Sequence, residues 1–297
     1  MKIGRLLTAM ITPMKADESV DYDEAVRVAE YLVARGCDGV IVSGTTGESP
    51  ALGDEEKLEL FRRIKAALGN NASVVAGTGG NNTVHSVELT KRAVECGVDG
   101  ILAVVPYYNK PTQDGMLRHF GSLAEDSSAP VIVYNIPGRT GANMLTATLL
   151  ELARRHNNIV GVKESGGDLA QITQICRERR DDFLVWSGDD YLFLPALAVG
   201  ADGLISVAAH VCAQRLRELL DAVDEGDLRM AASIHQEIAP LVAALFATTN
   251  PIPVKWVMNE FGFAAGACRS PLGAMTESLM ASIRALAEPY RPAVHTR

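Results

Sequence analysis

Long apolar runs are missing from this 297-residue chain. Charges, Gly or Pro interrupt each of them before the roughly 20 residues that a membrane-spanning helix needs. The opening stretch from Met1 to Pro13 carries Lys2 and Arg5 and meets polar sequence at Lys15, so it lacks the apolar core of a signal peptide and reads as a first strand. Basic charge is also in short supply: 28 Lys and Arg stand against 36 Asp and Glu, a formal net charge of −8. Such a field repels nucleic acid and anionic lipid, so neither is an expected partner; with neither a signal peptide nor a spanning run in the sequence, a cytoplasmic location is expected. Cysteine is sparse: Cys37, Cys96, Cys176, Cys212 and Cys268 are odd in number and form no C-x-x-C pair. Buried free thiols are the expectation. The six histidines show no ligand spacing such as H-x-x-x-H, so no protein-bound catalytic metal is expected.

What is present is alternation. Short Val- and Ile-rich runs, at Leu6 to Ile11, Gly39 to Val42, Ser73 to Ala76, Gly100 to Val105, Val131 to Tyr134, Ile159 to Lys163, Phe183 to Trp186 and Gly203 to Val207, predict eight strands. Between them, Tyr22 to Arg35, Asp54 to Leu68, Thr83 to Glu95, Thr112 to Glu125 and Ala209 to Val223 have helical periodicity. Asp21, Asp54 and Asn82 or Thr83 offer polar helix starts. Eight strand and helix pairs in one stretch of this length predict a closed (β/α)₈ TIM barrel over residues 1–225. After Gly226 the strands stop, and helical patterns at Asp227 to Phe246, Ile252 to Glu260 and Met275 to Leu286 predict a small C-terminal helical domain over 226–297. The tail from Pro289 to Arg297 is expected to pack loosely.

In such a barrel, chemistry gathers after the carboxyl ends of the strands. Lys163 ends the apolar run Ile159-Val160-Gly161-Val162, which places its amine inside or at the rim of the barrel. Desolvation in general disfavours an ammonium and frees an amine to form a Schiff base. A lone lysine leaving a strand into solvent is the competing reading. Gly44-Thr45-Thr46-Gly47 offers hydroxyls and backbone N–H groups to a carboxylate, or is an ordinary strand-to-helix turn. Tyr134, Thr45 and Tyr108 supply hydroxyls from three strand ends that can relay protons. Arg139 presents a fork suited to a second carboxylate, or a salt bridge to Glu48. Ser187-Gly188-Asp189-Asp190 reads as a helix cap.

Taken together, Gly44-Thr45-Thr46-Gly47-Glu48-Ser49, Pro106-Tyr107-Tyr108-Asn109, Tyr134-Asn135-Ile136-Pro137-Gly138-Arg139-Thr140-Gly141 and Asn250-Pro251-Ile252-Pro253-Val254-Lys255 resemble the dihydrodipicolinate synthase and N-acetylneuraminate lyase superfamily of pyruvate-dependent class I aldolases, in its synthase branch. The resemblance covers nearly the whole chain. It implies Lys163 as the Schiff-base lysine, Tyr134 as proton donor and acceptor, Thr45 and Tyr108 as the remaining relay, and pyruvate contacts from Thr46 and Ile205. It further implies that Arg139 binds the carboxylate of L-aspartate 4-semialdehyde, that no cofactor is used beyond the covalent pyruvate adduct, and that the chain forms a homotetramer of dimers in which Tyr108 enters the neighbouring subunit's site. At His210 the chain departs from the asparagine that many relatives carry.

Within the superfamily, an aldolase for keto-deoxy sugar acids or 4-hydroxy-2-oxoglutarate is the nearest alternative. A non-catalytic metabolite-binding barrel stands further off, since Lys163, Tyr134, Thr45 and Tyr108 are all present, and so does a phosphate-binding isomerase, since Ser187-Gly188-Asp189-Asp190 is too acidic for phosphate. Lysine-inhibited relatives hold the inhibitor through acidic and histidine groups near the second and third helices, where this chain has Asp54, Lys57 and His85. The cationic Lys57 would meet the ligand's own ammonium, so weak or absent inhibition by lysine is expected. Half-inhibition of the purified protein by submillimolar lysine would overturn this.

Overall fold

The computed structural model describes residues 3–292. Its strands are β1 (Leu6–Ala9), β2 (Gly39–Val42), β3 (Ser73–Gly77), β4 (Gly100–Val104), β5 (Val131–Asn135), β6 (Ile159–Glu164), β7 (Leu184–Ser187) and β8 (Gly203–Ser206). Each pairs in parallel with the next, and β8 pairs with β1 through Leu6 with Leu204 and Leu7 with Ile205, which closes the barrel. Around it run α1 (Tyr22–Ala34), α2 (Asp54–Leu68), α3 (Thr83–Glu95), α4 (Gln113–Glu125), the single turn α5 (Pro137–Thr140), α6 (Thr146–Arg155), α7 (Leu169–Glu178), α8 (Phe193–Ala198) and α9 (Ala209–Asp224). After it come α10 (Leu228–Leu245), α11 (Ile252–Glu260) and α12 (Glu277–Ala287). The expected elements recur within a few residues of their predicted ends; of the tail expected to pack loosely, Tyr290 instead packs against the core and Arg291 donates to the Glu260 carbonyl, and the part beyond residue 292 lies outside the described residues.

Two expectations need correction. The α2 start is capped at Gly53, whose backbone N–H donates to Glu56; Asp54 is instead the first helical residue and bonds His85 at 2.8 Å. Cys37 and Cys212 are buried thiols, but Cys96, Cys176 and Cys268 are partly exposed, because they lie nearer the protein's surface than the barrel wall. The predicted caps at Asp21 and Asn82 are present, on Glu24 and His85 backbone N–H groups.

A closed parallel sheet covered by helices is buried on both faces, which is why its strands read as nearly continuous apolar runs. Side chains of alternate residues face the interior, where Leu7, Ile41, Val75, Leu102, Ile132, Tyr134, Trp186 and Ile205 pack together. Their neighbours Leu6, Val40, Val74, Ile101, Val133, Val162 and Leu204 face the helices. Strand β6 breaks this alternation. Val131 pairs with Ile159, but Ile132 pairs with Gly161, so β6 carries one extra residue. Counted by twos from the outward Ile159, Lys163 falls on the outer face; the extra residue turns it inward. Gly161 permits the kink, since a Cβ there would lie 2.3 Å from the Leu184 carbonyl oxygen and 2.6 Å from Trp186 Cζ3.

The seam between β8 and β1 is fastened by a histidine. After Ala9 the chain leaves the ladder, and the Ile11 N–H donates to His210 Nε2 at 3.1 Å. The proton therefore sits on Nδ1, which donates to the Val207 carbonyl at 2.8 Å. An asparagine amide carries the same pair of groups, an acceptor and a donor. The C-terminal helices are fastened to the barrel by an ion pair with both side chains 1% exposed. Lys255 of α11 bonds Glu48, in the loop after β2, at 2.7 Å, and also the Ala267 carbonyl at 2.7 Å. Glu48 accepts a further bond from the Arg269 N–H at 2.8 Å.

Two outcomes are expected. Gly161→Ala should cost about 1–3 kcal/mol in urea unfolding, because the added methyl meets backbone that cannot retreat. Burial lowers the His210 pKa to about 4, whereas an unfolded histidine takes its proton near 6.5. The unfolded chain then binds more protons between these values, so this residue's contribution is complete above about pH 6.5 and is lost as pH falls towards 4. His210→Asn should stay within about 1 kcal/mol of the parent at pH 7 and lose less stability on acidification. An equal or steeper acid slope in the variant contradicts this account.

Candidate active site

At the carboxyl ends of β2 to β5 lies a cavity of about 230 Å³. Its lining includes Ser43, Thr45, Tyr107, Tyr134, Ile136 and Arg139. Tyr134 is the last inward residue of β5 and is 5% exposed. Its register partner on β6 is Lys163, whose Nζ lies 4.4 Å from the centre of the tyrosine ring. Lys163 is 4% exposed, and among the described residues no carboxylate lies within ion-pair distance of its ammonium. Across from it, Gly188 leaves the space the lysine occupies: a Cβ there would come within 2.7 Å of Lys163 Cε. The arrangement is an amine against a phenol ring, beside a hydroxyl-lined cavity with a guanidinium on its wall.

The supporting charges are buried and explain the local backbone. Asp190 is 1% exposed and accepts bonds from the Ser206 hydroxyl, the Val207 N–H at 3.0 Å and the Ala208 N–H at 3.3 Å, at the start of α9. Burial raises its pKa, against the pull of these donors. As expected, its neighbour Asp189 caps the next turn, accepting from the Tyr191 N–H at 2.9 Å. Glu164, next to Lys163 on β6, faces away from the interior and is 2% exposed. Burial pushes its carboxyl up to about 7, although Asn135, Gly166 and Gln171 donate to it.

The candidate residues divide by position. Thr45, Tyr134 and Arg139 line the cavity, and Lys163 stands against Tyr134. Thr46 is 2% exposed, and its hydroxyl accepts from Asn250 Nδ2 at 2.9 Å. Ile205 is fully buried in the barrel interior, in one cluster with Trp186 and with Tyr134, which lines the cavity. Tyr108 is 90% exposed and has φ +73°, an unusual backbone for an aromatic residue, and it does not line its own chain's cavity. The alternative of an Arg139–Glu48 salt bridge is overturned: Glu48 is taken by Lys255, and Arg139 Nη2 donates to the Asn250 carbonyl at 3.3 Å.

Three residues at the site were not singled out from the sequence. Ser43 is buried in left-handed backbone, φ +58°, with its hydroxyl unpartnered. It sits one residue before the Gly44 motif, and no spacing rule points to it. Tyr107, rather than Tyr108, lines the cavity of its own chain, and the Tyr-Tyr pair alone cannot say which ring turns inward. Asn250 reaches both Thr46 and Arg139 from more than 100 residues away in sequence; its only signal was membership of the Asn-Pro-Ile-Pro motif.

The sequence model of the dihydrodipicolinate synthetase family matches residues 2–289. A 4-hydroxy-tetrahydrodipicolinate synthase of Moorella thermoacetica is 52% identical over 272 residues, covering 92% of this chain and 93% of that one. One of Symbiobacterium thermophilum is 51% identical over 281 residues, covering 95% and 96%. The solved structure of a dihydrodipicolinate synthase from Bacillus anthracis superposes with a TM-score of 0.94 at 40% identity, covering 97% of this chain and 98% of that one. With one family model spanning almost every residue, and a barrel mouth that carries the motifs of the resemblance, the chain belongs to the dihydrodipicolinate synthetase family.

Proposed function

We propose that this chain is a 4-hydroxy-tetrahydrodipicolinate synthase, condensing pyruvate with L-aspartate 4-semialdehyde in the branch that leads to diaminopimelate and lysine. The observation that carries this reading is the buried Lys163 amine, 4.4 Å from the Tyr134 ring centre at the edge of a small cavity lined by Thr45 and Arg139. Its relatives from Moorella and Symbiobacterium bear that name. No cofactor is required, because the lysine itself is the covalent catalyst.

The amine attacks the pyruvate ketone, forming a C–N bond. The ketone oxygen leaves as water once protons reach it through the phenol of Tyr134 and the hydroxyl of Thr45. The same relay takes a proton from the pyruvate methyl group to give the enamine, whose carbon bonds to the aldehyde carbon of the semialdehyde. Arg139 holds the semialdehyde carboxylate at the cavity entrance. The substrate's amine then attacks the imine carbon and the lysine departs, closing the ring. Thr46 and Ile205 belong to the pyruvate side of the site in this scheme, Thr46 held in place through Asn250.

The relay is completed by Tyr108 from a second copy, which fits an aromatic side chain that is 90% exposed and held in left-handed backbone. We therefore infer a homotetramer built from dimers, in the cytoplasm, with the catalytic barrel over 1–225 and the helical appendage over 226–297.

Borohydride reduction in the presence of pyruvate should trap an adduct that mass mapping places on Lys163; an adduct elsewhere, or none, defeats the assignment. Lys163→Ala should lower kcat by at least about 1,000-fold. Turnover with aspartate semialdehyde should exceed that with keto-deoxy sugar acids, and the reverse preference would move the chain to the neighbouring aldolases.

A further inference from the structure

Behind Lys163 and Tyr134, on the side of the sheet away from the barrel interior, lies a polar cluster that takes no part in the chemistry above. Lys163 pairs in register with Tyr134, and the next rung pairs Glu164 with Asn135. Both Glu164 and Asn135 are buried, at 2% and 1% exposed. Asn135 Nδ2 donates to the two carboxyl oxygens of Glu164 at 3.1 and 2.9 Å and to Asn143 Oδ1 at 2.7 Å. The Gly166 N–H donates to Glu164 Oε1 at 2.7 Å, and Gln171 Nε2 donates to Oε2 at 3.2 Å. The ring closes with Asn143 Nδ2 donating to Gln171 Oε1 at 2.9 Å.

The amide of Asn135 has its orientation set by backbone, because the Met144 N–H donates to its Oδ1 at 3.0 Å and leaves Nδ2 for Glu164. The carboxyl therefore meets only donors, and among the described residues it has no Lys or Arg ion-pair partner. Burying a carboxyl without a cation is costly, and an apolar pair would hold two strands together at less expense. A purely structural purpose leaves that choice unexplained. What the cluster does supply is direction: it fixes the side chains of the last rung of the β5–β6 ladder, just past which the Ser165 N–H donates to the Asn135 carbonyl at 2.8 Å.

We propose that Glu164 is a positioning residue for the Schiff-base chemistry, its carboxylate clamping Asn135 so that the preceding rung holds the Lys163 amine against the Tyr134 ring. This rests on the role given to Lys163 under the proposed function. Burial places the Glu164 ionisation near 7. The charged groups near it are Asp168, at the start of α7, and Lys163 on its own strand. When the carboxyl takes a proton, its O–H faces donors alone, so the clamp holds only in the ionised form. A misplacement of the order of 1 Å between reacting groups is enough to cost about 100-fold in rate.

The test compares Glu164→Gln, Asn135→Asp and the double variant, by steady-state kinetics and by the rate of borohydride trapping with pyruvate. Each single change should lower kcat about 10- to 100-fold while the pyruvate KM stays within about threefold, as expected when groups are misaligned rather than lost. The double variant exchanges carboxylate and amide across the same rung and should recover at least about tenfold over the weaker single variant. Glu164→Gln should also lose a kcat ionisation near pH 7 that the parent shows. Parent-like kcat and pH profile in Glu164→Gln, a loss matched entirely by a lower folded fraction, or no recovery in the double variant overturns the proposal. If Glu164→Gln proves insoluble, Gln171→Met removes one donor to the same carboxyl from a half-buried position. It should lower kcat severalfold and shift the kcat midpoint upward; unchanged values there also overturn the proposal. Failure to trap parent protein on Lys163 defeats the proposed function, whereas normal trapping with indifferent Glu164 variants defeats only the clamp.

Discussion

One extra residue in β6 decides which face of the barrel carries the amine. Strand side chains alternate strictly, so a single inserted residue reverses every side chain after it. Here the insertion falls between Ile159 and Gly161, and it points Lys163 inward and Glu164 outward. The inward lysine meets Tyr134, which alternation on β5 has already placed in the interior. The outward glutamate meets Asn135, which the same alternation has placed outside. One irregularity therefore builds two layers, a buried amine against a phenol ring within and a hydrogen-bonded polar cluster behind it. Gly161 is what makes it sterically possible, since the close approach of Leu184 and Trp186 leaves no room for a side chain.

Around this pair the barrel must stay closed, and the closure is not left to strand pairing alone. His210 bridges the ends of β1 and β8 with one nitrogen accepting and the other donating. Asp190 fastens the turn after β8 through three donors. These groups are ionisable yet buried, and each is held by hydrogen bonds rather than by an opposite charge. Such sites confer geometry at some expense of stability, which is the usual bargain near a reactive centre.

The C-terminal helices contribute to the mouth as well as to the core. Lys255 and Glu48 are both buried, so each needs the other, and together they fix the loop that carries Thr45 and Thr46. Asn250 joins the hydroxyl of Thr46 to the guanidinium of Arg139, tying the two walls of the cavity through a residue that lies in neither. Among the described residues Arg139 has no carboxylate partner, and its guanidinium is held by a backbone carbonyl instead.

Much of this was legible in the chain itself. The eight apolar runs and the helices between them follow from periodicity, because a sheet buried on both faces admits little else than Val, Ile, Leu and Ala. The motifs after the strands named Thr45, Tyr134, Arg139 and Lys163, since a parallel barrel sends every strand's carboxyl end to one mouth. Three things came from tertiary structure alone. The inward face of Lys163 depends on a bulge that is visible only when β6 is set against β5. The partner of Glu48 is Lys255, because a contact 207 residues long leaves no local pattern. Which ring of the Tyr107-Tyr108 pair faces the cavity is settled by the backbone, as the left-handed φ at Tyr108 turns its side chain out of its own chain's site. Local periodicity reports which residues are buried, whereas direction and pairing across the sheet arise only when the strands meet.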